Sequence, residues 1–435
     1  MLDTRRHAQA RRNGEIMDTR QLIQSVESHA RSSKETKLGH AKIGAGRRVA
    51  AMGLAAIFLG AAAIAAGARV GSKIGVSESA HGTPPRSHFN RQGNILISDQ
   101  YNNRVIEIDP AGDIVWSFGN GPADLTSGDS PVGVNDAQRV GGLTLVAGTG
   151  NPGGFGDCNP GPCPDNRVML VNPVGKIVWQ YGQFGVSGSD QNQLNTPVQA
   201  TYLPNGDVLI TDQANERVIQ VTHNGTIAWQ YGQTGVTGTD DNFLNNPNSA
   251  ELLANGNILI ADENNNRAIE VNRDHHIVAT FSANGGVGAV AFASRLDDGH
   301  TLLTDAGNAR AVEVDAGDNL SWQCVTNADP NSNPDPQPSR AIRLEDGNTI
   351  ISDQYNNRVF IVDHATPCNT LTVYGLPLNN GLNTGFGSQN ANQGMNGPYD
   401  AKVIGDFTGL TPPDVFDPQS SEEPRTDNAL RIRRP

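Results

Sequence analysis

Past residue 80 the chain has no long amphipathic helical run, and that absence excludes an α-helical or doubly wound α/β body. Basic residues are scarce there too. Of 32 Lys/Arg in 435 residues, 11 lie in residues 1–48 against 5 Asp/Glu, a local +6 that leaves −19 of the overall −13 for residues 49–435. A body of that sign does not hold nucleic acid through phosphate contacts. Cysteine occurs at four positions only, and no second close pair or neighbouring His completes a metal knuckle.

What the chain does have is one pattern, six times over. Residues 93–119, GNILISDQYNNRVIEIDPAGDIVWSFG, give its form: Gly, β-formers, Asp-x-x-Asn-x-Arg, an alternating apolar strand, a turn ending in Gly, and an apolar strand with Trp. The hexapeptide recurs as Asp99/Asn102/Arg104, Asp212/Asn215/Arg217, Asp262/Asn265/Arg267, Asp305/Asn308/Arg310 and Asp353/Asn356/Arg358, and a degenerate copy ends at Arg167. Successive arginines stand 63, 50, 50, 43 and 48 residues apart, within the range of propellers and arrays. Trp116, Trp179, Trp229 and Trp322 share one place in their copies, where they predict packing between neighbours.

Each copy reads as four strands. In the third, Val198–Leu203 meets Pro-Asn-Gly at 204–206, a hairpin signal, because both central residues of a type I′ turn need positive φ. Asp207–Thr211, Arg217–Val221 and Ile227–Tyr231 follow, the middle one alternating apolar and polar. Such units bury their apolar faces only against each other. Six copies therefore predict an all-β fold, a six-bladed β-propeller of four-stranded blades over residues 85–408, with blade one starting on Pro85–Phe89.

Residues 1–48 are polar, basic and without a core, and Val49–Ala68 is a 20-residue apolar run long enough to cross a bilayer as a helix. Arg47 and Arg48 precede it and assign that side to the cytoplasm, which places the propeller outside, in the periplasm or at the cell surface. Two fates stand open: a retained single-pass transmembrane anchor, or a signal peptide cut near Ala66-Gly67-Ala68. Residues 69–84 read as a linker and residues 409–435, rich in Pro and charge, as a disordered tail. Cys158 and Cys163, five apart in a Pro/Gly loop, predict a small disulfide, and Cys324 and Cys368 are placed to bridge blades five and six. The even count fits an oxidising compartment.

The hexapeptide is a structural element on this reading, since Asp and Asn bond their own backbone in turns and a ring has no use for six catalytic copies. Function belongs where the copies differ. Counting back from each hairpin Gly aligns Arg86, Asp136, Gln199, Ser249, Phe292 and Arg340 on the innermost strands, with His88 two residues beyond Arg86. Asp400 joins them if Pro398–Ala401 is a further innermost strand. These charges predict a small anionic or zwitterionic ligand at the channel, the alternative being polar residues that pair with one another around water. Metal-dependent chemistry needs a ring of acids or histidines, which is missing, and no metal or cofactor is expected. The loops 183–195 and 233–245 hold Asp190, Asp240 and Asp241, at a spacing that fits no calcium loop.

The segments YGQFGVSGSDQNQLNTP (181–197) and YGQTGVTGTDDNFLNNP (231–247), with the Asn-Gly turn and the hexapeptide that follow, resemble the NHL repeat over about residues 84–375. That resemblance implies a six-bladed propeller serving as a binding surface or as an enzyme with a central-channel site. Residues 93–116 are more loosely similar to arylsulfotransferase-like propellers. This second resemblance implies a channel His as nucleophile with Arg holding the sulfuryl group, parts that would fall to His88, Arg86 and Arg340. The expectation is an exported, membrane-tethered binding module whose partner is a protein or a small anionic ligand. A channel enzyme, sulfuryl transferase or lyase, and a structural component of the envelope are the alternatives.

Overall fold

The computed structural model describes residues 88–121, 125–151, 158, 161–375 and 394–406. Within them the chain forms six four-stranded antiparallel sheets, the blades of an all-β propeller. The third blade shows the build. Its inner strand Pro197–Tyr202 turns back at Gly206, whose φ of 87° suits a residue without Cβ, into Val208–Asp212. A single 3₁₀ turn, Gln213–Asn215, carries the chain to Arg217–Val221, and a second Gly turn leads to the outer strand Ile227–Tyr231. The core is six apolar wedges between blades. One of them joins Leu209, Val218 and Tyr231 of blade three to Ala250, Ile260 and Ile269 of blade four.

Blade one corrects the expectation. Its inner strand is Pro398–Val403, which pairs antiparallel with Ile95–Asp99 in the register Ile95↔Val403. His88 and Phe89 lie in a turn instead, where the His88 carbonyl accepts from Asn94 Nδ2 at 2.7 Å and Asn90 N–H donates to Glu107 at 2.6 Å. A Pro-led local pattern at residues 85–89 imitates an inner strand, but a pairing from the far end of the chain takes the place. Arg86 and the segments 1–48, 49–68, 69–84 and 409–435 lie outside the described residues. Among the described residues no helix is long and apolar enough to cross a membrane.

The other five inner strands are Val134–Val140, Pro197–Tyr202, Pro247–Leu252, Val290–Arg295 and Pro338–Arg343. All six carry a β-bulge at the second residue, so that Asn135, Val198, Asn248, Ala291, Ser339 and Tyr399 have no opposite number on the next strand. A bulge adds one residue to one strand and re-aims its side chain. Here it does so six times around one axis.

Neighbouring blades are also tied by polar contacts. The indole N–H of Trp116, Trp179, Trp229 and Trp322 donates to a turn carbonyl of the following blade, at Pro173, His223, Arg273 and Ala365. At three interfaces an Arg of one inner strand pairs with a Glu on the third strand of the blade before it: Arg139 with Glu107 (2.6 Å), Arg295 with Glu270 (3.0 Å) and Arg343 with Glu313 (2.9 Å). Each guanidinium also lies over an outer-strand ring, that of Trp116, Phe281 or Trp322. Both expected disulfides are present, Cys158–Cys163 and Cys324–Cys368, the second joining blades five and six.

Candidate functional site

Two layers meet on the propeller axis, and the hexapeptides frame them. In each full copy the Asp carboxylate accepts from the Asn amide and from the Arg Nε, at 2.8 and 2.8 Å in Asp212/Asn215/Arg217. Asn102 and Arg104 donate to Asp99 at 2.8 and 2.7 Å, and Asn265 and Arg267 to Asp262 at 2.8 Å each. Asn308 and Arg310 donate to Asp305 at 2.9 and 2.7 Å, and Asn356 and Arg358 to Asp353 at 2.8 and 2.7 Å. In four of the five copies, all but that of Asp353, the other carboxylate oxygen accepts a backbone N–H of the loop leading in from the preceding blade, as Asp212 does from Asn195 at 2.7 Å. The Arg then reaches carbonyls of that loop, as Arg267 does to Thr239, Arg310 to Gly286 and Arg358 to Thr326. Blade two keeps the arrangement with Asp165 in the acid's place, 2.6 Å from Arg167. Burial raises Asp165 and Asp353 to about 6 despite their arginines. The motif is thus a clamp on the loop between blades.

Deeper on the axis lie the residues aligned from the sequence. Asp136, Gln199, Ser249, Phe292, Arg340 and Asp400 occupy equivalent positions, one beyond each bulge, and all are buried. Four of them accept the backbone N–H of the next inner strand: Asp400 from Ala137, Asp136 from Ala200, Gln199 from Ala250 and Ser249 from Ala293. Arg340 lies 2.9 Å from both Asp136 and Asp400 and stacks over Phe292 at 4.2 Å. Lys402, which sequence reasoning missed, bonds the same two carboxylates. Burial raises Asp136, whereas Lys402 and Arg340 outweigh burial at Asp400 and hold it below the usual carboxylate range. Two cations face two anions. The axis is closed there by an internally neutral cluster, and Arg340 has no charge left over for an anion.

His88, the expected nucleophile, stands apart from this cluster, exposed in its turn. Asp241 of the 233–245 loop ties down an outer strand through Ile277 N–H and His276.

Above the cluster, on the side of the 3₁₀ turns, opens a funnel of about 530 Å³. Its floor is set by the bulged residues Asn135, Asn248, Ala291, Ser339 and Tyr399. Tyr399 reaches from blade one to blade four, where its hydroxyl and the Asn248 amide exchange hydrogen bonds of 2.9 and 3.0 Å. The wall is built from the residues that follow each motif Asp: Gln100, Gln213, Glu263, Ala306 and Gln354. Tyr355, exposed, and Tyr101, partly buried with its ring against Gly397, complete the lining. Among the described lining residues no side chain is cationic, and Glu263 is the one carboxylate. Its Oε2 accepts from Asn246 and Asn248 at 2.9 Å each and from Gln213 at 3.4 Å. Burial raises the pKa of Glu263 against those donors, and burial also raises Tyr399 and Tyr101.

The clamp residues stand behind this lining and not in it. Asn102, Arg104, Asn215, Arg217, Asn265, Arg267, Asn308, Arg310, Asn356 and Arg358 hold the loops, and the residue after each motif Asp lines the funnel. They are frame residues without a surface on the cavity.

Such a cavity offers hydrogen-bond donors and acceptors in quantity and little charge. The sequence comparison across copies came within one residue of it. Moving the alignment back by one position in each inner strand picks out the bulged residues, and moving forward by one from the motif Asp picks out the wall.

Comparison with protein-family models finds no match, and comparison with curated proteins finds none either. Among solved structures the chain is similar to a streptogramin B lyase at 12% identity, covering 68% of this chain and 84% of that one with a TM-score of 0.44. It is similar to virginiamycin B lyase from Staphylococcus aureus solved with quinupristin, at 13% identity over 66% and 87% of the two chains with a TM-score of 0.43. It is also similar to the WD40 β-propeller domain of Doa1, at 12% identity over 66% and 83% with a TM-score of 0.41.

Proposed function

We propose that this chain is a binding module whose ligand sits in the funnel above the closed axis. The observation that carries the reading is the bulge repeated in all six inner strands, five of whose bulged residues, Asn135, Asn248, Ala291, Ser339 and Tyr399, line the funnel. A purely structural ring gains nothing from six irregularities at one level. The cavity lies within the size range of roughly 300–1,000 Å³ usual for small-ligand sites. A screen of a small-molecule library by ligand-observed NMR tests it, run on the full chain and on Gln213→Trp, which places a large ring in the funnel from a partly exposed turn. Ligands that bind the parent and not the variant support the reading. An equal response from both overturns it.

The module works outside the cytoplasm, held by the apolar run 49–68 or released after its removal. Two disulfides within the described residues support an oxidising compartment. Cell fractionation with an antibody to the propeller checks this: recovery in the cytosol with free thiols would sink it.

A further inference from the structure

The funnel's chemistry narrows what it takes, and this step rests on the binding reading above. We infer that the ligand is a neutral saccharide, of one or two sugar units, gripped through its hydroxyls by amides and stacked at the mouth on tyrosine. The first reason is charge. With no cation and a single carboxylate in the described lining, an anion finds no counter-charge. The second is the density of polar groups. A burying apolar ligand would strip water from many amides and hydroxyls without replacing their bonds, which is costly. Each sugar hydroxyl both donates and accepts, as each Asn and Gln amide does.

Several of these groups are left over by the protein's own bonding, Asn151 Oδ1 among them. Asn135 Oδ1, in a side chain only 4% exposed on the funnel floor, has no partner among the described residues. Glu263 receives all three of its side-chain donors on Oε2, and Oε1 is engaged by no described residue. An acceptor so placed is completed by a hydroxyl of the ligand. The rest of the floor is already held in position by the Tyr399–Asn248 pair, by Ser339 donating to the Tyr399 carbonyl at 2.7 Å, and by Gln354 bonding Gln100 at 2.6 Å. Little order remains to be imposed on binding. Tyr355, exposed at the edge of the lining, gives a ring for the C–H face of a sugar.

A peptide is the competing ligand with groups of both senses, and it fits less well. Extended peptides dock by adding to a free strand edge. Around this axis the inner strands spend backbone N–H groups of Ala137, Ala200, Ala250 and Ala293 on side chains of the preceding blade.

The test is calorimetry and saturation-transfer NMR on the full chain with glucose, galactose, maltose, cellobiose, lactose and chitobiose. Lactose sulfate, choline and a neutral tetrapeptide serve as controls. At least one neutral sugar binds saturably, with an affinity that salt leaves unchanged. Asn135→Ala and Glu263→Gln each weaken it about tenfold, the loss of roughly one ligand hydrogen bond. Tyr355→Ala, an exposed position, weakens it with an unchanged melting temperature, which separates binding from folding. Binding of choline, lactose sulfate or the peptide in place of every sugar overturns the saccharide class while leaving a binding module. Silence of all these probes also overturns the saccharide class, and the Gln213→Trp library screen then decides separately whether the funnel binds anything.

Discussion

Between the Asn and the Arg of each hexapeptide sits a residue with left-handed backbone: Asn103, Glu216, Asn266, Ala309 and Asn357, all with φ between 51° and 55°. Four of the five use the side chain to bond the N–H just before the next inner strand, as Asn266 does to Ala289 at 2.7 Å and Asn357 to Gly397 at 2.7 Å. Ala309 has neither the tolerance for this conformation nor the bond. Ala309→Asn is expected to raise stability by about 1 kcal/mol, and Asn266→Ala to lower it by about as much or more, as read by denaturant unfolding. No gain at 309 would mean that its surroundings, already 6% exposed, refuse the larger side chain. His300 gives a second test. Its bond to Glu313 at 2.6 Å raises its pKa above the ordinary 6.5, so the stability it adds is complete below about pH 6.5 and fades as pH rises through the raised value. The melting temperature of His300→Gln should therefore trail the parent most in acid and match it in alkali. A constant gap across pH would contradict the linkage.

The elements that repeat most faithfully were the ones legible in the sequence. Asn-Gly turns, the hexapeptide and the strand alternation are local, and from them the blade count and the four-stranded blade follow. Pro398–Val403 was harder to place as the inner strand of blade one, because its partner Ile95–Asp99 stands at the other end of the array. The bulges escaped because a strict period of two admits only one axial residue per inner strand, whereas Asn135 and Asp136, or Tyr399 and Asp400, both serve the axis at different levels. Between blades, the Arg–Glu–aromatic contacts differ in burial and so in weight. Arg139 and Glu107 are 4% and 0% exposed, Arg295 and Glu270 27% and 9%. Arg139→Leu leaves Glu107 buried without its cation and should cost about 3–5 kcal/mol. Arg295→Leu should cost distinctly less, about 1 kcal/mol, because water reaches that pair. Equal losses in urea titrations would show that packing over the rings, and not charge, sets the interface.

For the molecule as a whole, closure is the controlling feature. The Cys324–Cys368 bond spans 44 residues and the Cys158–Cys163 bond 5, so on chain-entropy grounds the first contributes about 4 kcal/mol and the second about 2. Cys324→Ser/Cys368→Ser should lower the unfolding midpoint well beyond what Cys158→Ser/Cys163→Ser does. A reversal of that order would point to native contacts near residue 158 in place of loop closure. Closure also has a direction in time. A chain made from its N-terminus has every blade but the first complete before Pro398 emerges, and until then Ile95–Asp99 presents an unpaired strand edge. Asp400 and Lys402 arrive on that same last strand, so the charge cluster that seals the axis forms at the moment the ring shuts. During synthesis the nascent chain is consequently an open arc with an adhesive edge. A ribosome stalled after residue 397 should hold a protease-sensitive arc, and release of the last strand should convert it to a resistant ring in one step.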